Sequence, residues 1–243
     1  MRIITLDTVD STNSEAKRRL DTGCELPLWI MSYEQSAGRG RRGRDWVSQR
    51  GNLFCSGVYP LSGSAVSDAQ KSFVAALATY DMLAEYVDSE KLSLKWPNDV
   101  LIEGQKVSGL LLERHERGLI VGIGVNLVNK PEITQYPVTC VLDHMAEGAL
   151  NDPEPLMTGP EAALAVLARQ YNHWNDIHNQ QGFVPIRAAW LDRAYGMGQV
   201  VKVRLANESF EGYAKGLTEQ GGLIVQHDTG EPRIIVAGDV FFV

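Results

Sequence analysis

The chain has 243 residues, 44% of them hydrophobic, and 23 Lys and Arg stand against 30 Asp and Glu for a formal net charge of −7 at pH 7. That length and apolar content can bury a real core in one large domain, or in a large domain plus a small one. The acidic balance excludes a surface built wholly to hold nucleic acid or anionic lipid, so any phosphate binding has to sit in a local basic patch.

Ile3 to Val9 reads as a short strand. Thr12-Asn13-Ser14-Glu15 then has the spacing of a capping box and predicts a helix through about Leu20. Leu28 to Tyr33 and Leu53 to Tyr59 read as two strands separated by a glycine- and arginine-rich loop from Glu34 to Arg50. A second capping box, Ser67-Asp68-Ala69-Gln70, opens an amphipathic helix near 67–88 with Phe73, Leu77, Tyr80 and Ala84 on one face. Leu92 to Trp96, Val100 to Ile102, Val107 to Glu113 and Leu119 to Val125 are short apolar runs broken by turn residues, the pattern of an antiparallel meander. Pro131 to Pro155 is proline-rich and irregular, Thr158-Gly159-Pro160-Glu161 opens a helix, and a further helix covers roughly 183–194. From Gly198 the pattern changes to short runs at Val201 to Leu205, Phe210 to Tyr213, Leu223 to Val225 and Ile234 to Val236, which predicts a small all-strand barrel. The boundary is placed near 196, giving units 1–196 and 197–243.

Cys24, Cys55 and Cys140 are odd in number and carry no CxxC pair, so neither a disulfide framework nor a zinc knuckle is expected, and the reducing cytoplasm is the expected compartment. No run approaches about 18 uninterrupted apolar residues, and Asp7 and Asp10 lie in the first ten, so neither a membrane span nor a signal peptide is predicted.

The segment richest in chemistry is Gly38-Arg39-Gly40-Arg41-Arg42-Gly43-Arg44-Asp45-Trp46. Glycines let main-chain N–H groups approach a ligand, and guanidinium groups bind phosphate or carboxylate oxygens in pairs. Composition alone fits equally a solvated loop or one that touches RNA. Lys95-Trp96-Pro97-Asn98-Asp99 gathers a cation, an amide and a carboxylate at a strand end, where Asn98 and Asp99 suit nucleotide oxygens or magnesium. Lys106-Val107-Ser108-Gly109 starts a strand with a lone cation. Taken singly, both also fit an ordinary turn and a solvated strand start. Gly122-Ile123-Gly124-Val125-Asn126 lacks the third glycine and the following helix of a dinucleotide fingerprint, so that reading is rejected. The two glycines instead admit a ligand or a neighbouring backbone against the strand, or simply close packing.

In this order and spacing, Ser11-Thr12-Asn13, Gln35, the Gly38–Trp46 loop, Lys95–Asp99, Lys106–Gly109 and Gly122–Asn126 resemble the catalytic domain of the biotin protein ligases. The resemblance spans most of the chain. It implies an α+β fold, a mixed and largely antiparallel sheet flanked by helices, plus a small C-terminal SH3-like β-barrel. It implies an ATP-dependent ligase that forms biotinyl-5'-AMP from biotin and ATP and transfers biotin to a lysine of a biotin carboxyl carrier protein or domain, of the acetyl-CoA carboxylase type. Ser11, Thr12, Asn13, Gln35, Arg39, Gly40, Arg41, Lys106 and Gly109 would then bind biotin. Arg41, Arg44, Trp46, Lys95, Asn98, Asp99 and Asn126 would line the nucleotide side, with Trp46 near adenine.

Lys106, Arg39 and Asp99 are the implied catalytic residues, with Mg2+ as the metal and Asp99 as its candidate ligand. Ser108 stands where many relatives have a smaller residue. Some relatives carry an N-terminal DNA-binding unit; Ser11 lies too close to Met1 for one, so no operator-DNA binding is expected. Dimerisation through the sheet is left open. A mixed anhydride is hydrolysed wherever water reaches it, so the Gly38–Asp45 loop is expected to order over bound ligand.

Overall fold

The computed structural model describes residues 2–132, 136–145, 159–205, 207–227 and 230–242. Part of the irregular 131–155 stretch, and Thr158 at the expected helix start, lie outside them. The strands and helices in chain order are β1 (Arg2–Val9), α1 (Thr12–Asp21), β2 (Leu28–Gln35), β3 (Leu53–Tyr59), α2 (Ala65–Leu83), β4 (Leu92–Lys95), β5 (Asp99–Ile102), β6 (Gln105–His115), β7 (Gly118–Val125), α3 (Gly159–Gln181), α4 (Phe183–Asp192), β8 (Val200–Arg204), β9 (Ser209–Leu217), β10 (Leu223–Gln226), β11 (Arg233–Ile235) and β12 (Asp239–Phe242).

Strands β1 to β7 form one sheet in the order β1-β2-β3-β7-β6-β5-β4. Only β1 and β2 run parallel, because α1 is the crossover between them, while β4 to β7 make the expected meander. Alternation decides what each face meets. Leu28, Ile30, Val58 and Ile120 face α1 and pack on Ala16 and Leu20. Trp29, Met31, Cys55, Val121 and Ile123 face the larger core under α2, α3 and α4. Every residue of β3 is buried, which is why its sequence reads as a continuous rather than an alternating run. Trp29 anchors the large core: it meets Tyr59 and Tyr171 edge-on, and its indole donates to the Tyr59 hydroxyl at 3.0 Å.

Both expected capping boxes shift by one turn or less. Ser11, not Thr12, is the cap of α1; the Thr12 hydroxyl is engaged with Gln35, and Glu15 turns to Arg18 and Arg19. Ser64, not Ser67, caps α2, its hydroxyl accepting from the Ser67 amide.

Strands β8 to β12 form an antiparallel sheet in the order β11-β10-β9-β8-β12. It is curved back on the main core rather than closed, since β11 and β12 share no ladder among the described residues. Strand β12 was not foreseen. The Trp96 indole donates to Gly221 O at 3.1 Å, Arg187 donates to Leu217 O at 2.8 Å, and Gly221 lies against Phe73, so the C-terminal sheet is docked on α2 and α4.

Candidate active site

The parallel pairing of β1 and β2 sets Val9 beside Gln35 and so brings the start of α1 against the end of β2. Gln35 Oε1 accepts from the Thr12 amide at 2.8 Å and from the Thr12 hydroxyl at 3.2 Å. Beneath them Ser56 of β3, fully buried, donates to Asn13 Oδ1 at 2.6 Å and lies 2.8 Å from the Thr12 hydroxyl. Asn13 Nδ2 donates to Glu113 Oε2 at 2.7 Å. A Cβ at Gly122 would collide with the Asn13 amide, which gives that glycine its reason: a neighbouring side chain crosses the strand there.

The basic loop folds on itself. The Trp46 amide donates to Gly38 O at 2.9 Å, the Gly40 amide to Arg44 O at 2.6 Å, and the reversal passes through left-handed backbone at Arg42 and Gly43 (φ 57° and 72°). Its four arginines go to three protein acceptors. Arg39 pairs with Glu113 at 3.0 Å, Arg41 donates to Asn98 Oδ1 at 3.1 Å, and Arg42 and Arg44 both reach Asp239 of β12, at 3.2 and 2.5 Å. Burial, and then the neighbouring Arg42 charge, pull the Arg41 guanidinium below its ordinary value; the Asp239 carboxylate holds that of Arg44 above it.

The turn between β4 and β5 presents the second cluster. Asn98 Nδ2 donates to Leu110 O at 2.6 Å, which fixes the amide that Arg41 meets. Trp96 is buried in the core, so within this motif it serves structure. Burial lowers the pKa of the Lys95 ammonium, which lies 5.8 Å over the Phe241 ring. Asp99 and Lys106 form an ion pair of 2.7 Å with side chains only 19% and 13% exposed. The Lys106 ammonium also lies between two rings, 5.5 Å from the Trp46 centroid and 5.4 Å from that of Tyr136, which are favourable cation–π distances. Trp46 covers the main chain of β6 and β7 so closely that a Cβ at Gly124 would stand 2.5 Å, and one at Gly109 2.9 Å, from its ring. Its Nε1 is buried with no hydrogen-bond partner among the described residues. Ser108 Oγ donates to Gly124 O at 2.8 Å, locking the same two strands.

All the sequence-derived candidates but one line a single cleft, where charged and polar groups converge on one concave surface as they do in small-molecule sites. The exception is Asn126. It is 3% exposed, it does not line the cleft, and its side chain donates to Thr139 O at 3.0 Å, a bond that ties the 139–141 segment to the sheet. The sequence reading missed Tyr136, Asp239 and Phe241 on the lining, and Ser56 and Glu113 behind it. Ser56 left a trace, as the one serine in strand β3.

Residues 6–128 match the Biotin/lipoate A/B protein ligase family, and residues 196–243 match the Biotin protein ligase C terminal domain. The chain is 38% identical over 243 residues to a biotin--[acetyl-CoA-carboxylase] ligase of Paracoccus denitrificans, covering 98% of this chain and 99% of that one. The chain belongs to the biotin protein ligase family. A biotin--[acetyl-CoA-carboxylase] ligase of Mycobacterium tuberculosis is 30% identical over 95% of this chain and 85% of its own. Among solved structures, the biotin protein ligase of Aquifex aeolicus in complex with biotin and ATP superposes with a TM-score of 0.80 at 25% identity, over 100% of this chain and 98% of that one. The mixed sheet with its helices, and the appended C-terminal sheet, are the architecture of that family.

Proposed function

We propose that this protein joins biotin to ATP as biotinyl-5'-AMP, releasing pyrophosphate, and then passes the biotinyl group to a lysine of a biotin carboxyl carrier protein or domain of the acetyl-CoA carboxylase type. The observation that carries the reading is the Lys106–Asp99 pair, walled by Trp46 and Tyr136 in a cleft roofed by the arginine loop.

Biotin lies with its polar ring at Thr12 and Gln35 and its tail under Gly40. A biotin carboxylate oxygen attacks the α-phosphorus and the bond to the β-phosphate breaks. Two anions must approach each other for this, and Lys106, with the loop guanidinium groups of Arg39 and Arg41, stabilises the charge that builds on the phosphate. The arginines are already gathered here: Arg41, Arg42 and Arg44 exchange the Asn98 amide and the Asp239 carboxylate for substrate oxygens, while Arg39 keeps its pairing with Glu113. In the second step the neutral carrier amine attacks the acyl carbon, AMP leaves, and the amine's proton passes to Asp99 or to solvent. ATP stacks on the Trp46 side, with Arg44, Lys95 and Asn98 along its phosphates.

Mg2+ would be bound as part of the substrate, neutralising the triphosphate, with Asp99 as the residue that would hold it. The described residues contain no group of three or more acidic, His or Cys ligands, and a single carboxylate, Asp99, suits an ion held mostly by phosphates and water. A homodimer would form along the sheet edge. Strand β5 pairs with β6 only from Gln105 to Gly109, so Leu112 and Arg114 present unpaired main chain on that side among the described residues. Among the described residues no helix is long and apolar enough to cross a membrane, and a cytoplasmic location fits the free cysteines.

Biotin-dependent exchange of labelled pyrophosphate into ATP tests the first step, with lipoate in place of biotin as the comparison. Exchange with biotin and little with lipoate is expected. Exchange with lipoate alone, or with neither acid, would overturn the proposal.

A further inference from the structure

Glu113 stands on β6 behind the cleft and does not line it, yet it is the junction of two of the groups that do. Its two carboxylate oxygens take both terminal nitrogens of Arg39, at 3.1 and 3.0 Å, and one of them also accepts from Asn13 Nδ2 at 2.7 Å. Through Asn13 the connection runs to buried Ser56 and on to Thr12 and Gln35. Gln35 in turn donates to Ser48 at 2.9 Å, and Ser48 to Trp46 O at 2.9 Å.

The basic loop is thus held at both feet by one chain of polar groups that passes under the cleft floor. Its far foot hangs on the Trp46 main chain. At its near foot the main chain is held by the Ala37 amide on Asp10 O at 2.8 Å and the Trp46 amide on Gly38 O at 2.9 Å, while the Arg39 side chain hangs on Glu113, apart from a long 3.5 Å approach to the Ser14 hydroxyl. The Arg39–Glu113 pair is half-exposed, so bare Coulomb attraction contributes little; what the paired fork supplies is direction, setting the guanidinium plane and with it the course of the loop.

We propose that Glu113 is a positioning residue: by gripping Arg39 and Asn13 together it holds the near foot of the loop over the biotin end of the cleft. It acts through those two side chains and touches neither substrate. This rests on the reading of the cleft as the biotin site. Glu113→Gln keeps the size and one acceptor but loses the charged fork.

The test is pyrophosphate exchange as a function of biotin concentration for wild type, Glu113→Gln, Arg39→Ala and the double variant, with thermal denaturation of each. Glu113→Gln is expected to raise the biotin KM about fivefold, the scale of one lost directed ion pair, with a smaller fall in kcat because the guanidinium stays in the cleft, and with Tm close to wild type. In the Arg39→Ala background the second substitution should add less than about twofold, because its main partner is already gone. Glu113→Asp, which keeps the charge on a shorter arm, should fall between wild type and Glu113→Gln.

A wild-type KM in Glu113→Gln, effects that multiply in the double variant, or a loss confined to Tm would overturn the proposal. Absence of exchange in the wild-type protein would instead overturn the function proposed above.

Discussion

Lys106 carries the most chemistry per atom in this cleft, since one ammonium is shared by the Asp99 carboxylate and two aromatic faces. Lys106→Ala is expected to fold, because its neighbours pack through their rings, and to lose pyrophosphate exchange by on the order of 100-fold or more, the usual cost of one preorganised charge-stabilising donor. Near-normal exchange in that variant would refute the assignment. Gly124→Ala drives a methyl into the Trp46 indole, so the ATP KM should rise severalfold while the biotin KM changes less. Equal effects on both would place Trp46 elsewhere than at the nucleotide.

Arg39 and Lys106 were legible in the sequence because their residue types suit an anion, whereas Thr12 and Gln35 entered the site only through the resemblance to the biotin protein ligases. Glu113 was not, since a single acid at the end of an apolar strand reads as its solvent-facing residue. Asp239 was not, since its partners Arg42 and Arg44 lie almost the whole chain away.

Among the elements, the basic loop should behave as a gate. Arg41, Arg42 and Arg44 hold half-buried protein partners, Asn98 and Asp239, that a substrate oxygen can displace, so biotin with ATP is expected to protect the Gly38–Asp45 segment from proteolysis; equal cleavage with and without the ligands would contradict this. In α2 the capping hydroxyl belongs to Ser64, and Ser64→Ala should lower stability by about 1 kcal/mol, whereas Ser67→Ala should cost little. Denaturation of the two variants separates the positions.

Helix and strand identities followed from periodicity. Cap positions did not, because Thr12 and Ser67 match the capping pattern locally while the tertiary partners of Thr12, and the earlier start of α2, decide otherwise. Strand β12 was hidden for a different reason: it has four residues, Asp239–Phe242, and is a strand only because β8 lies beside it.

Across the whole molecule, stability has a pH dependence of stated sign. His178 is 4% exposed between α2 and α4, and burial, then the neighbouring Lys71 charge, lower its pKa from 6.5 to about 4. The unfolded chain therefore binds one proton more than the folded one across that window, so its contribution is complete above about pH 6.5 and is lost as pH falls toward 4. His178→Gln should flatten the stability–pH curve there by up to one proton; an unchanged slope in denaturant unfolding would remove His178 as its source.

The same scale joins the two sheets. The basic loop of the first is tied to Asp239 of the second, so the C-terminal sheet forms part of the cleft wall. That the chain ends in a strand-rich unit was readable from its turn-rich pattern; that this unit reaches back to the arginines was not, since no local pattern encodes a contact over that separation.

The central claim is that this cleft brings a carboxylate and a triphosphate together and hands the activated acyl group to a lysine. Mass spectrometry of a biotin carrier domain after incubation with the protein, biotin and Mg-ATP tests it most directly. One biotinyl group on one carrier lysine, absent when ATP or Lys106 is removed, is the predicted result; a carrier of unchanged mass, or one modified equally by the Lys106→Ala variant, would contradict it.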